Sequence, residues 1–153
     1  MRQQTKQKKA LLLLNLEVSD RMKDLVNKEE YGYAILNLWN QIEAGLKLSR
    51  CIEKGAYPKN LDVRWTGFLK ILNEEMPEIL KVIFSKEQNC LWKIRNEIVH
   101  ANQTISQEQY EQFYEKGNLL LNKLRENLSL KYDFENGCPK QRKRRRIENE
   151  LYK

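Results

Sequence analysis

Apolar side chains recur at intervals of three and four residues along most of the chain, and this spacing constrains the fold more than any other feature. A period of 3.6 residues places such positions on one face of an α-helix. The repeat is clearest in the last predicted helix, whose inward residues are Tyr110, Phe113, Gly117, Leu120, Leu121, Leu124 and Leu128. No sustained alternation of apolar and polar residues predicts a strand. We therefore expect an all-α bundle of four or five helices.

Earlier segments carry the same pattern, and their ends are marked by helix-breaking or helix-capping residues. Helices are predicted over about residues 11–25, 31–54, 61–75 and 85–100. Pro77 either begins a short additional helix or kinks the one before it. Capping boxes, in which a hydroxyl and a side chain three residues later close a helix start, are predicted at Ser85 with Gln88 and at Ser106 with Gln109.

The net charge of +7 is concentrated at the two ends of the chain. Residues 1–10 carry +4 and residues 139–153 carry +5, which leaves −2 for the rest. We expect a basic N-terminal arm at 1–10, a helical domain at 11–132 and a basic tail at 133–153. Such a tail suits a polyanion such as RNA, and the alternatives are a solvated arm or a localisation signal. The candidate RNA-binding residues are Lys140, Arg142, Lys143, Arg144, Arg145 and Arg146.

The cysteines and the short leucine run bear on the compartment. Cys51, Cys90 and Cys138 are widely spaced and form no C-x-x-C motif, so we expect free thiols in a reducing compartment. A zinc site that combined them with His100 would match no known ligand spacing. The run LLLLNL at 11–16 is too short for a signal peptide or a membrane span. A cytoplasmic protein without metal or other cofactor is the expectation.

The segment LWKIRNEIVH, residues 91–100, ends with the only histidine of the chain. On a helical wheel at about 100° per residue, Arg95 falls inside the apolar arc, and Asn96 and His100 lie at its edge. A guanidinium among apolar side chains is unfavourable unless it meets an anion or a partner surface. Asn96 and His100 are four residues apart, so the amide is expected to orient the imidazole. In the ordinary alternative, His100 merely ends the helix and Arg95 pairs with a buried glutamate.

The run RNEIVH, late in an all-α domain and followed by a capped helix, resembles the HEPN superfamily (higher eukaryotes and prokaryotes nucleotide-binding). Many HEPN members are metal-independent ribonucleases marked by R-x(4–6)-H with a polar residue after the arginine. The resemblance covers about residues 10–130 and implies that Arg95 and His100 are catalytic and Asn96 auxiliary. It further implies an endoribonuclease of toxin or defence type, a homodimer with a shared site, and an antitoxin or regulatory protein as partner.

Metal-free RNA cleavage needs a base for the 2′-hydroxyl, an acid for the leaving 5′-oxygen and a cation for the charge on phosphorus. One histidine performs one of these tasks at a time, and a two-fold dimer would bring a second one into the same cleft. The sequence contains no H-E-x-x-H, Walker, G-x-S-x-G or G-x-G-x-x-G motif of other enzyme classes. The alternatives are a non-catalytic module that binds RNA or a protein, and an accessory subunit of an enzyme.

Overall fold

The computed structural model describes residues 2–15, 20–55, 57–59, 67–85, 90–101, 103–134 and 138–140. The helices are α1 (Arg2–Asn15), α2 (Asp20–Asn27), α3 (Tyr31–Lys54), α4 (Gly67–Glu75), α5 (Pro77–Ile83), α6 (Leu91–Ala101) and α7 (Gln107–Leu128). Two short strands, β1 (Tyr132–Asp133) and β2 (Cys138–Pro139), follow. The predicted all-α class is confirmed. No described helix has both the length and the apolar content to cross a membrane.

Helix α3 is the centre of the fold and has the bounds that the sequence predicts. Gly55 ends it in the left-handed conformation at φ 77°, and its N–H donates to the carbonyl of Cys51. All the inward residues that the spacing indicates are buried: Ile35, Leu38, Trp39, Ile42 and Leu46. Helices α1, α2, α4, α6 and α7 all contact α3.

Helix α7 packs along α3 through two glycines that allow a close approach. A Cβ on Gly117 would lie 2.8 Å from Leu38 Cδ2, and a Cβ on Gly45 would lie 2.9 Å from Leu124 Cδ1. Because the contacts advance by seven residues on both helices, α3 and α7 run parallel.

The start of α7 confirms the predicted capping box. The N–H of Gln109 donates to Ser106 Oγ at 3.2 Å, and the N–H of Ser106 donates to Gln109 Oε1 at 3.2 Å. All seven residues predicted to face inward from α7 are buried. The other predicted box, at Ser85 and Gln88, falls partly outside the described residues, because 86–89 are not among them.

The N-terminal region differs from the expectation of an arm followed by one helix. Helix α1 begins at Arg2, so the predicted boundary at residue 10 lies inside a helix, and Ala10, Leu11 and Leu14 are buried. Side chains from two helices hold the end of α1: Gln41 Nε2 donates to the Leu13 carbonyl at 3.1 Å, and Arg125 Nε donates to the Leu14 carbonyl at 2.8 Å.

Seven helices are described where the sequence predicts four or five. The segment predicted as one helix at 11–25 corresponds to the end of α1 and most of α2, and residues 16–19 lie outside the described part. Pro77 begins the separate helix α5 at its first position, one of the two outcomes expected for it. The predicted start of the third helix, at residue 61, also lies outside the described residues.

A short antiparallel ladder, which the sequence does not predict, closes the described part of the chain. Tyr132 pairs with Pro139 and Asp133 with Cys138. The N–H of Lys140 donates to the Lys131 carbonyl at 2.8 Å and extends the pairing. Two residues per strand are too few to produce the alternation from which a strand is recognised.

Candidate functional site

Helix α6 carries the R-N-x-x-x-H motif and is anchored in the core by its first two turns. Leu91 and Ile94 are buried, and the N–H of Ile94 donates to the carbonyl of Cys90 at 3.0 Å. Beyond the helix, the N–H of Gln103 reaches back to the Glu97 carbonyl at 3.5 Å. The motif therefore occupies the second and third turns of a short helix whose two ends are both held.

The end of α6 that bears His100 lies beside the start of α3. A Cβ on Gly32 would be 3.8 Å from Ile98 Cγ2, which is ordinary van der Waals contact. The ring of the neighbouring Tyr31 lies 5.5 Å from that of Tyr110, which in turn lies 5.8 Å from Tyr114. Burial, reinforced by the other two phenols, raises the pKa of Tyr110 to about 12. The motif thus borders a packed aromatic cluster at the N-terminal end of α3.

Arg95 is half-buried and its charge is not neutralised by any described carboxylate. Its Nη1 donates to Asn96 Oδ1 at 2.8 Å, whereas its Nε is buried and has no acceptor. The ordinary alternative of a buried glutamate partner is thus not found in the described ranges. Burying an unsatisfied N–H of a cation costs free energy. The hydrogen bond to Asn96 holds the guanidinium in place. Because no described carboxylate neutralises its charge, it retains the capacity to bind an anion.

The expected contact between Asn96 and His100 is replaced by one between Asn96 and Arg95. The amide oxygen accepts from the guanidinium, and a charged donor forms a stronger hydrogen bond than a neutral imidazole. His100 is exposed in the last turn of α6, and within the described part it forms no hydrogen bond with Arg95 or Asn96. The structure brings two of the three predicted site residues together, whereas no described residue fixes the orientation of the third, His100.

Two large apolar side chains flank this pair in a way that the sequence analysis missed. Trp92 is 42% exposed and Val99 is 49% exposed, although the helical wheel places both in the apolar arc. With Arg95 and Asn96 they form one face at positions 92, 95, 96 and 99, which we call the motif stripe. Exposed aromatic and aliphatic groups around an arginine are typical of the centre of a protein interface. The sequence could have indicated their exposure. On the helical wheel, the charged Arg95 lies between the buried Leu91 and these two residues, which places them at the solvent side of the apolar arc.

The other predicted binding and ligand residues fall into three groups. Lys140 is exposed, and the basic residues 142–146 lie outside the described part. Cys51 and Cys90 are buried free thiols, as expected, and the side chain of Cys138 is not among those described. Among the described residues no three His, Cys, Asp or Glu side chains converge as a metal ion would require.

Comparison of the chain with family models, with curated proteins and with solved structures gives no match. The resemblance to HEPN ribonucleases therefore stays a prediction. It rests on the motif Arg95-Asn96 with His100 and on the position of that motif ahead of a capped final helix.

Proposed function

We propose that the protein is a metal-independent endoribonuclease of HEPN type that cleaves RNA in a site shared between the two subunits of a homodimer. One observation carries the proposal. The Arg95 guanidinium is aligned by Asn96, has no described carboxylate partner and lies on the motif stripe of the helix whose last turn carries the only histidine of the sequence.

Arg95 would stabilise the negative charge that gathers on phosphorus in the transition state. A half-buried cation attracts a phosphate more strongly than a solvated one because the local dielectric constant is lower. The hydrogen bond from Nη1 to Asn96 Oδ1 removes part of the rotational freedom of the guanidinium before substrate arrives. Asn96 is thus a positioning residue for Arg95 in this mechanism.

His100 would serve as the general base or the general acid. Cleavage by attack of the 2′-hydroxyl needs both, and each chain has one histidine. Dimerisation through the motif stripe would cover Trp92 and Val99 and bring a second His100 close to the same phosphate. One imidazole would then accept the 2′-hydroxyl proton while the other protonates the leaving 5′-oxygen.

Cleavage of a fluorescent RNA in excess EDTA tests this proposal. Wild type should cleave and leave a 2′,3′-cyclic phosphate, and His100→Ala should be slower by at least about 100-fold. Glu97→Ala is the matched control, because Glu97 is exposed on the same helix but lies off the stripe. Equal rates for wild type and His100→Ala would refute the assignment of His100. Loss of wild-type activity in EDTA would refute the metal-free chemistry.

A non-catalytic RNA-binding module is the second candidate, and the exposed imidazole without a described hydrogen-bond partner favours it. In that case Arg95→Ala would weaken RNA binding while wild type would cleave nothing in any buffer. Three further points belong to the ribonuclease proposal and not to the second candidate. They are a toxin or defence role, an antitoxin or regulatory partner, and action in the cytoplasm.

A further inference from the structure

Helix α1 and strand β2, at the two ends of the described part of the chain, contact each other in the fold. Lys140 follows β2 directly. Helix α1 carries three exposed lysines, Lys6, Lys8 and Lys9. Because α1 is about 20 Å long and contacts β2, each of these lysines lies within about that distance of β2. Segments separated by most of the chain therefore contribute to one surface.

We call this surface the basal patch and define it by Lys6, Lys8, Lys9, Lys131 and Lys140, all of which are exposed. The hydrogen bond from the Lys140 N–H to the Lys131 carbonyl holds the last two side by side. Within the described part of the chain none of the five forms an ion pair. Five cations without neutralising carboxylates produce a local positive potential that attracts polyanions.

The basal patch and the motif stripe lie at opposite ends of α3. Tyr132 of β1 lies beside Cys51, near the C-terminal end of α3. Helix α6 contacts Gly32, at the N-terminal end. The rise of an α-helix puts these two positions about 28 Å apart. That distance is several times the Debye length of about 8 Å in physiological salt, so the patch cannot act on the motif through its field alone.

We propose that the basal patch binds the phosphate backbone of single-stranded RNA and anchors a strand whose other part reaches the motif. RNA is favoured over an anionic membrane because the apolar face of α1 is buried in the core and is not free to enter a bilayer. The binding itself is independent of the proposed ribonuclease activity. Only the link to cleavage rests on it.

The separation of the two surfaces sets a length requirement. A strand stacked as in a duplex, at about 3.4 Å per nucleotide, needs about eight nucleotides to span about 28 Å, and an extended single strand needs fewer. An RNA of about 20 nucleotides can therefore occupy the patch and the motif together, whereas a dinucleotide, which still carries one scissile phosphodiester, cannot. The patch should assist cleavage of the long substrate and not of the short one.

Salt-dependent binding of a fluorescent oligouridylate of about 20 nucleotides tests the patch itself. The variant Lys6→Gln/Lys8→Gln/Lys9→Gln should lower the slope of log affinity against log salt by up to about 2, since each lost phosphate contact removes about 0.7. The matched control, Lys23→Gln/Lys70→Gln/Lys81→Gln, removes the same charge from exposed positions on α2, α4 and α5 and should leave the slope unchanged. Lys131→Gln/Lys140→Gln should act in the same direction as the α1 variant.

Equal slopes for the α1 variant and wild type would overturn the proposal, as would an equal loss in the control. Unchanged RNA binding with lost binding to phosphatidylserine vesicles would assign the patch to a membrane and also overturn it. Cleavage adds a second readout: the α1 variant should lower kcat/KM about tenfold on the long RNA and leave the short one unaffected. If the wild-type protein binds RNA but never cleaves it, the proposed ribonuclease function is refuted, whereas the proposal that the basal patch binds RNA is not.

Discussion

Helices α6 and α7 follow one another in the chain but differ in how completely their apolar side chains are buried and their polar groups are hydrogen-bonded. Every residue that the spacing of α7 assigns to the core is buried, and its first turn is closed by a reciprocal cap. In α6 only Leu91 and Ile94 are buried, Trp92 and Val99 are exposed, and a buried guanidinium nitrogen has no acceptor.

This difference separates a helix selected for packing from one that keeps a surface available. When spacing, capping and burial agree, as in α7, the sequence specifies a structure with little left to explain. When apolar groups remain exposed around an unsatisfied cation, as in α6, the conflict points to a function or a partner. Matched substitutions in the two helices test whether this difference is real.

The largest expected effect on stability is in α7. Leu124 is fully buried against Gly45, so Leu124→Ala should lower the free energy of unfolding by about 2–5 kcal/mol. Val99→Ala in α6 should change it by less than about 0.5 kcal/mol, because half of that side chain already contacts water. Urea unfolding at one fixed protein concentration measures both. A cost at Val99 as large as that at Leu124 would mean that the motif stripe is core.

The aromatic cluster that Tyr31 of α3 forms with Tyr110 and Tyr114 of α7 predicts a loss of stability in alkali. The pKa of Tyr110 is raised to about 12, chiefly by burial, so the folded state holds this proton more tightly than the unfolded state does. The resulting stabilisation is complete below pH 10 and is lost as the pH rises from 10 through 12, up to about 2 kcal/mol. Tyr110→Phe should make the decline of the urea midpoint across that range shallower, and the remaining decline is expected from Tyr57 and Tyr132, whose pKa values burial also raises. An unchanged alkaline slope would show that other groups set it.

Much of the fold could be predicted from local signals. The limits of α3 follow from apolar spacing that stops at Lys54 and from the left-handed Gly55. The start of α7 follows from Ser106 and Gln109. The helical form of residues 2–9 was missed, because this polar stretch has no apolar period and continues a helix whose packing begins at Ala10.

The candidate site could be predicted only in part. The sequence identifies Arg95, Asn96 and His100 as a group, but spacing cannot decide which partner an amide takes, and Asn96 bonds Arg95. That α6 contacts Gly32, and that β2 contacts α1, depends on tertiary packing between distant segments. No local period carries such information.

The exposed surface of α6 should also affect assembly of the protein. If α6 leaves its surface free for a second copy, Trp92→Ala should weaken the homodimer by about 2 kcal/mol, or roughly 30-fold in Kd. Ile71→Ala is the control, because Ile71 is 53% exposed on α4, away from the stripe. Sedimentation over a range of concentrations measures both. A wild-type monomer at tens of micromolar, or equal effects of the two substitutions, would contradict the shared site.

The smallest effect, and the most diagnostic, is a gain in stability at Arg95. Methionine keeps the length of the side chain but removes the buried N–H that has no acceptor, so Arg95→Met should raise the free energy of unfolding by up to about 1 kcal/mol. The same change at Arg125 should lower it, because the lost hydrogen bond from Nε to the Leu14 carbonyl outweighs the removal of its own buried Nη2, which has no acceptor. Cleavage by Arg95→Met should fall by at least about 100-fold. A side chain whose loss stabilises the fold and abolishes activity is retained for its chemistry, whereas a loss of stability at Arg95 would make the guanidinium a structural group.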